Sequence, residues 1–304
     1  TRPSKRGPFG YAACMSTQPV LAAILEEHAL GELIETPESV GGGDSTPAYQ
    51  LQTTRGRFFG KRAGLSRWDQ LRCEANNLDA IRDTNTIRVP TVIACDGVED
   101  EAWLLLEWLD VRPLRGNQFE ALARSLSDLH RTDSSRPGWH ENYWIGNSPQ
   151  LNQPMSDWET FYRECRLRPQ SEWAVEGGIP ATLRRLLYAL MDRLSDLLGE
   201  HSPPVSLTHG DLWGGNVAMA DCPVTYDPAC FFGDREMDLA MARLFGGFDE
   251  HFFAAYLEAW PLPPGWQKRV DLYQIYHQLN HLNLFGGIYV DSCRRTVERL
   301  LSQI

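Results

Sequence analysis

Apolar positions along the chain fall into two textures. Behind Ser16, Thr17 and Pro19, the residues Val20, Leu21, Ile24 and Leu25 recur at helical spacing and predict a helix over 16–29. Three glycines follow at 41–43. Ala48 to Thr53 and Arg57 to Lys61 then read as two strands joined by a turn at Thr54-Arg55-Gly56. Residues 68–83 read as a helix. Val89 to Ala94 and Ala102 to Leu109 read as two more strands, separated by the polar turn Asp96 to Asp100. Beyond Leu109 helical patterns dominate, at 116–131, 156–168, 180–199, 235–245, 250–259 and 266–286, with short strands around 205–208, 216–219 and 223–226. The pattern predicts a small strand-rich lobe over 15–109, a hinge near Glu107–Leu109, and a larger, mainly helical lobe over 110–304. No repeat or low-complexity tract interrupts it.

Composition is that of an ordinary globular chain of 304 residues, long enough for two lobes. The net charge of −11 disfavours nucleic acid or an anionic membrane as the main partner. No apolar run is long enough to span a bilayer. The seven cysteines are scattered and include no CxxC pair, which fits buried small residues in a reducing, cytoplasmic compartment. Residues 1–14 read as a flexible extension and Met15 as the original start.

The segment 207–217, LTHGDLWGGNV, carries the candidate chemistry. Asp211 and Asn216 stand four residues apart from end to end of the intervening run, and Asp227 follows in VTYDPA at the end of an apolar strand. Phosphoryl transfer from ATP needs a carboxylate to accept the proton of the attacking hydroxyl and oxygen ligands for Mg²⁺ on the phosphates. Taken singly, HGD is compatible with a turn whose Asp caps a helix. Upstream, Lys61 ends the second strand after the glycines, and Glu74 on the 68–83 helix is placed to pair with it. Each alone would favour a solvated surface group, and their order relative to the glycines is what argues for the pair. Gly41, Gly42 and Gly43 do not form GxGxxG, although their N–H groups could cradle phosphate. His277 and His281 are four apart on a predicted helix, but no third metal ligand accompanies them. Trp213 reads as core packing or a sugar-facing ring, with the former favoured. Arg235 and Glu236 read either as cleft residues or as a surface ion pair.

HGDLWGGNV, YDPACFFGDREMDLAMARLFGGF and YQIYHQLNHLNLFGG resemble the fructosamine kinase (ketosamine 3-kinase) family. So do VGGG, IRVPTVIA, ENYWIGNSPQLNQ and FYRECRLRPQ, so that the likeness runs from about Thr17 to Leu301. It implies an α+β, bilobal, protein-kinase-like fold of the aminoglycoside-phosphotransferase branch, with a small antiparallel sheet in the first lobe. It also implies ATP and Mg²⁺ as cofactors and phosphorylation of the sugar 3-hydroxyl of a ketosamine, free or as a glycated lysine on a protein. The 3-phosphate makes the adduct unstable, so the sugar leaves and the amine is restored. By the resemblance Asp211 is the catalytic base, Asn216 and Asp227 hold Mg²⁺, Lys61 contacts the ATP phosphates and Glu74 orients it. Backbone groups at Glu107, Trp108 and Leu109 hold adenine, and Asp238 bonds the catalytic-loop backbone. Trp213, Glu236, His277 and His281 are candidates for contact with the acceptor, and a monomer is expected.

The chain departs from the family at Asp44, where many relatives carry a redox-active cysteine, and at Thr46 and Pro47. Asp227 is followed by Pro228-Ala229 instead of the Phe-Gly of protein kinases, so a flip of that segment is not expected. An aminoglycoside or choline-like kinase, and a non-catalytic nucleotide-binding protein, are the alternatives. The second alternative is disfavoured by the joint presence of Lys61, Glu74, Asp211, Asn216 and Asp227.

Overall fold

The computed structural model describes residues 18–41 and 46–304. The expected extension over 1–14, the start at Met15, and Gly42, Gly43 and Asp44 lie outside the described residues. The chain forms two compact units, one comprising Thr1–Asn76 and Pro90–Leu109, the other Asn77–Val89 and Asp110–Ile304.

The first unit is built on a five-stranded antiparallel sheet. Its strands are β1 (Glu38–Val40), β2 (Ala48–Thr53), β3 (Gly56–Gly64), β4 (Val92–Val98) and β5 (Glu101–Glu107), in the spatial order β1-β2-β3-β5-β4. The apolar run Leu104-Leu105-Leu106 sits in β5, an inner strand buried along almost its whole length. Helix α1 (Gln18–Glu27) packs its Val20, Leu21, Ile24 and Leu25 stripe on Leu51, Trp103 and Leu105. This is the apolar face that the helical spacing predicted. Helix α2 (Trp68–Asp83) follows β3. Strand β4 continues through Val98, so only Glu99 and Asp100 remain of the polar turn expected over 96–100. Glu99 takes a left-handed φ of 57°, as a two-residue hairpin requires.

The second unit is mainly helical. Its helices are α3 (Gln118–His130), α4 (Trp158–Tyr162), α5 (Arg168–Glu176), α6 (Ala181–Asp192), α7 (Leu194–Leu198), α8 (Glu236–Leu244), α9 (Glu250–Ala259), α10 (Trp266–Phe285) and α11 (Val290–Leu301). Three two-stranded ribbons lie between them. Strands β6 (Tyr143–Ile145) and β7 (Ser148–Gln150) form a hairpin, β9 (Val217–Met219) pairs with β10 (Pro223–Thr225), and β8 (Ser206–Thr208) pairs with β11 (Phe231–Gly233). The helix expected over 156–168 is interrupted by a π turn, Arg163–Leu167. Pro169 has no N–H to offer the carbonyl of Cys165 four residues earlier. The Arg166 guanidinium donates to that carbonyl instead, at 2.9 Å from Nη1. The helix expected over 180–199 breaks at Arg193, between α6 and α7. Among the described residues no helix is long and apolar enough to cross a membrane.

Leu105 lies at the centre of the α1–sheet core and is fully buried. Leu105→Ala is expected to destabilise the protein by about 3 kcal/mol, whereas Ile288→Ala, at a residue 81% exposed, should change it by less than about 0.5 kcal/mol. Urea unfolding of the two variants side by side checks this.

Candidate active site

Strand β8 delivers His209-Gly210-Asp211 into a tight loop. Gly210 has a left-handed φ of 82°, and a side-chain carbon there would lie 1.9 Å from the Ala229 carbonyl oxygen. Only glycine lets these two backbones approach. The loop is fixed from behind by Asp238, in the first turn of α8. Its carboxylate accepts the backbone N–H of His209 at 2.7 Å and of Gly210 at 2.9 Å, and the ring of His130 at 3.0 Å. Burial alone would raise the Asp238 carboxyl. The hydrogen bond and charge of His130, with the Gly210 N–H, hold it below the usual carboxylate range.

The His209 ring braces the same loop from within. Burial lowers its pKa and keeps it neutral. Its Nδ1 accepts the Asp211 N–H at 3.3 Å, which assigns the proton to Nε2. That N–H donates to Thr225 Oγ1 at 2.7 Å, and the Thr225 hydroxyl donates on to the Asn216 carbonyl at 2.9 Å. The loop from His209 to Asn216 and the strand leading to Asp227 are thus one hydrogen-bonded unit.

Asn216 Nδ2 donates to the Asp211 carbonyl at 2.9 Å and to its Oδ2 at 3.2 Å. This orientation turns Asn216 Oδ1 away from Asp211, as an oxygen ligand requires. Asp227 sits at a left-handed φ of 55°, a conformation that Asp tolerates better than most residues. Burial and the neighbouring Asp227 charge push the Asp211 carboxyl up to about 7. Two mutually repelling carboxylates beside a carboxamide oxygen are a donor set suited to a hard divalent cation. Trp213 is 38% exposed and does not pack into the core, contrary to the favoured expectation. Next to it, Gly214 approaches Gly247 so closely that a side-chain carbon on Gly214 would lie 2.9 Å from the Gly247 Cα.

The first unit holds the other expected residues. Lys61 Nζ donates to Glu74 Oε1 at 2.7 Å, and both side chains are largely buried. This rules out the alternative of two solvated surface groups. Gly41 is exposed at the end of β1. Glu107 closes β5 with its N–H on the Thr91 carbonyl at 2.9 Å, while its carboxylate accepts the Thr91 N–H at 3.1 Å. The Arg57 guanidinium lies 5.4 Å from the ring of Trp108, and Leu109 is half-buried.

Glu236 is not the surface partner of Arg235, and it lines a small cavity together with Arg243, Trp266 and Tyr273. It is buried and held by Arg269 through Nη2 and Nε, at 2.6 and 2.8 Å. Arg235 is buried apart from it, over the Trp260 ring at 3.7 Å and on the Pro261 carbonyl at 2.7 Å. Asp234 accepts from Tyr273 at 2.6 Å and lies 2.6 Å from His201 Nε2. His201, Asp234 and Glu236 lie close enough to hold an ion, but Arg269 and Tyr273 already engage the two carboxylates. His277 is buried, and burial with the nearby His281 lowers its pKa to about 3, so it stays neutral. His281 is half-buried against Phe245 at 4.4 Å and Phe285 at 5.4 Å between ring centres. Sequence reading missed His130 and Asp234. Only the GDREMDL run hinted at a second acid there, and His130 lies 108 residues from its partner Asp238.

Fold and site together define a kinase-like phosphotransferase acting on an alcohol. A solved putative fructosamine-3-kinase from Haemophilus somnus superposes with a TM-score of 0.86 at 26% identity, covering 95% of this chain and 99% of that one. A spectinomycin phosphotransferase shares the fold alone, with a TM-score of 0.60 at 14% identity over 93% of each chain. A probable ketoamine kinase of Vibrio parahaemolyticus is 34% identical over 290 residues, 94% of this chain and 98% of that relative. The fructosamine kinase family model matches residues 17–303, and the chain belongs to that family.

The raised Asp211 carboxyl has a consequence for stability. It binds its proton more tightly in the folded than in the unfolded chain, so stability is lost as pH rises from about 4 through about 7. Asn cannot ionise. Asp211→Asn is therefore expected to be more stable than the parent, by a margin that grows by about 1–2 kcal/mol between pH 4 and pH 8 after discounting for partial exposure. Thermal unfolding across that range, without divalent cations, checks it; a margin that shrinks with pH contradicts the assignment.

Proposed function

We propose that Asp211 is the base that takes the proton of a ketosamine 3-hydroxyl while that oxygen attacks the γ-phosphorus of ATP. The bond to the γ-phosphorus forms as the bond to the bridging oxygen breaks, and ADP leaves. The observation that carries this reading is the grouping of Asp211 and Asn216 on a loop clamped by Asp238, with the Asp227 charge near enough to raise the Asp211 carboxyl. Asp211 is oriented for the task by the Asn216 amide, and its proton affinity falls once the Asp227 charge is offset. Asn216 Oδ1 and the Asp227 carboxylate would hold Mg²⁺, which supplies charge neutralisation on the phosphates. Lys61, oriented by Glu74, would neutralise the non-transferred phosphates. Gly41 and its neighbouring glycines would cover the phosphates, and the backbone at Glu107–Leu109 would hold adenine.

The acceptor class follows from the family and from charge. The segment Tyr273 to Gly287 carries no Asp or Glu. Five of its polar side chains are engaged internally: Tyr273 with Asp234, Gln274 with the Ala240 carbonyl, Asn280 and Asn283 with Gln170, and His281 with the His277 carbonyl. A polycationic aminoglycoside would find no carboxylate on this helix segment, whereas a sugar bearing one amine does not need one. Trp213, exposed beside Asp211, is the better candidate for a ring facing that sugar. Whether the amine is a free metabolite or a glycated lysine on a protein, the same 3-phosphorylation would destabilise the adduct and release the amine.

An ATP-consumption assay over ribulosyl-lysine, fructosyl-lysine and kanamycin tests the reading. The expected order places both ketosamines at least about 100-fold above kanamycin in kcat/KM, and a kanamycin preference would overturn the substrate class. Asp211→Asn should lower kcat by about 10³-fold or more while nucleotide binding persists.

Glu74→Ala should lower kcat/KM for ATP by about 10–100-fold by releasing Lys61, and Lys61→Ala should do the same. The double variant should be no worse than the worse single one, because both remove one interaction. Additive losses in this steady-state comparison would show that the pair does not act as a unit.

A further inference from the structure

A row of exposed rings adjoins the His209–Asn216 loop. Gly214, next to Trp213, abuts Gly247 so closely that a side-chain carbon on Gly247 would lie 2.7 Å from the Gly214 Cα. This contact brings the end of α8 to the loop, and with it Phe245, which is 41% exposed. The Phe245 ring centre lies 4.4 Å from that of His281 on α10. His281 in turn lies 5.4 Å from Phe285 and 5.5 Å from Tyr289. Phe285 is 50% exposed, and Ile288 extends the apolar edge beyond it. The space beside these rings is open, since a side-chain carbon at Gly246, Gly286 or Gly287 would meet nothing within 4 Å. Contiguous exposed apolar groups of this size mark a place where something docks.

The chemistry of the row selects its occupant. His281 Nδ1 donates to the His277 carbonyl at 2.9 Å, which leaves Nε2 as a lone pair. Burial lowers the pKa of this ring, so it carries no charge near neutral pH. The two segments that form the row, 244–250 and 277–293, contain no Lys or Arg. The rings therefore present apolar faces and edges around a neutral imidazole, without a positive charge from either segment. An alkyl chain ending in an ammonium suits such a surface. Its methylenes pack on the rings, and its cation meets ring faces instead of a like charge. A ketosamine formed on lysine has this form, because its sugar is joined through a protonated secondary amine to four methylenes. The continuity of the row with Trp213 places the chain on the same side as the sugar.

We propose that Phe245, Phe285 and Tyr289, grouped around His281, form a shelf for the amine-bearing arm of the acceptor, the alkyl chain of a glycated lysine, while the sugar lies at Asp211 beside Trp213. The assignment rests on the reading of the protein as a ketosamine kinase. It adds a preference among amines that carry the same sugar. An adduct on a long alkyl amine gains the shelf, and an adduct on a short amine leaves the rings in water.

Two acceptors with one sugar separate the arm from the sugar: Nε-fructosyl-lysine and fructosyl-methylamine. In the parent, KM for the lysine adduct is expected to be about 10-fold lower than KM for the methylamine adduct. In Phe285→Ala this advantage should fall at least about threefold, with KM for ATP within about twofold of the parent. Phe285→Leu keeps an apolar side chain and loses the ring face, so its advantage is expected to lie between the two. A parent advantage below about threefold, or one that Phe285→Ala reduces by less than that factor, overturns the proposal. Equal rises in KM for both acceptors leave the ratio intact and overturn it as well, because they place the ring against the sugar. Absence of turnover on both acceptors in the parent is a different failure. It removes the ketosamine-kinase reading itself, and the shelf assignment with it.

Discussion

The Asp238 carboxylate is the constraint on which the His209–Asn216 loop depends. It accepts two consecutive backbone N–H groups, those of His209 and Gly210, in a buried site. Buried donors on a turn cannot remain unpaired without large cost, and a turn this tight offers them no backbone acceptor. Asp238 supplies one from a helix, so the position of the loop is inherited from a rigid element instead of from the loop. His130 completes the anchor: its Nε2 meets Asp238 and its Nδ1 lies 2.7 Å from the Tyr256 hydroxyl. Asp211 is consequently held in place by groups that it does not touch.

The carboxylates of this region divide by how their charge is met. Asp238 has its imidazole and its amides, and Glu236 has the two-pronged Arg269. Both are buried and both are satisfied within the chain. Asp211 differs, because burial and the neighbouring Asp227 charge both raise the energy of its ionised form and Asn216 offers only an amide in return. Folding alone does not settle that repulsion. A site that binds a triphosphate with a cation does settle it, which is the physical reason that active-site carboxylates cost stability.

Much of this was legible in the sequence because the decisive groups lie on short local motifs. The α1 stripe, β2, the α2 span and helices α9 and α10 follow from periodicity, since each is long enough to display its period. Lys61 and Glu74 were legible from order along the chain, and burial of the pair is what their spacing could not show. Three-residue strands complete at most one period: β8, β9 and β10 were legible as short apolar runs beside HGD and YDPA, whereas β1, β6, β7 and β11 were not read as strands. Helix α11 is different: Cys293, Thr296, Val297 and Leu300 form a visible helical stripe, hidden only by the arginines between them. Trp213 and Glu236 went the other way. Size suggested burial for the first and charge suggested exposure for the second. The Trp213 ring lies over Gly215 and stays 38% exposed, while the reach of Arg269 buries Glu236.

The π turn at Arg163–Leu167 shows how a local defect reaches the site. Pro169 withholds a backbone donor, the helix widens, and the Arg166 guanidinium folds inward to take the orphaned Cys165 carbonyl. A buried cation without a carboxylate is costly, so the energy must be recovered from carbonyls and aromatic faces. Arg166 gathers the Leu151 and Cys165 carbonyls, Asn152, and the rings of Phe161 and Phe231. Phe231 belongs to the strand paired with β8, which leads into Asp211. Withholding one N–H at Pro169 therefore places a positive charge directly behind β8 and β11, where a neutral helix would have placed none.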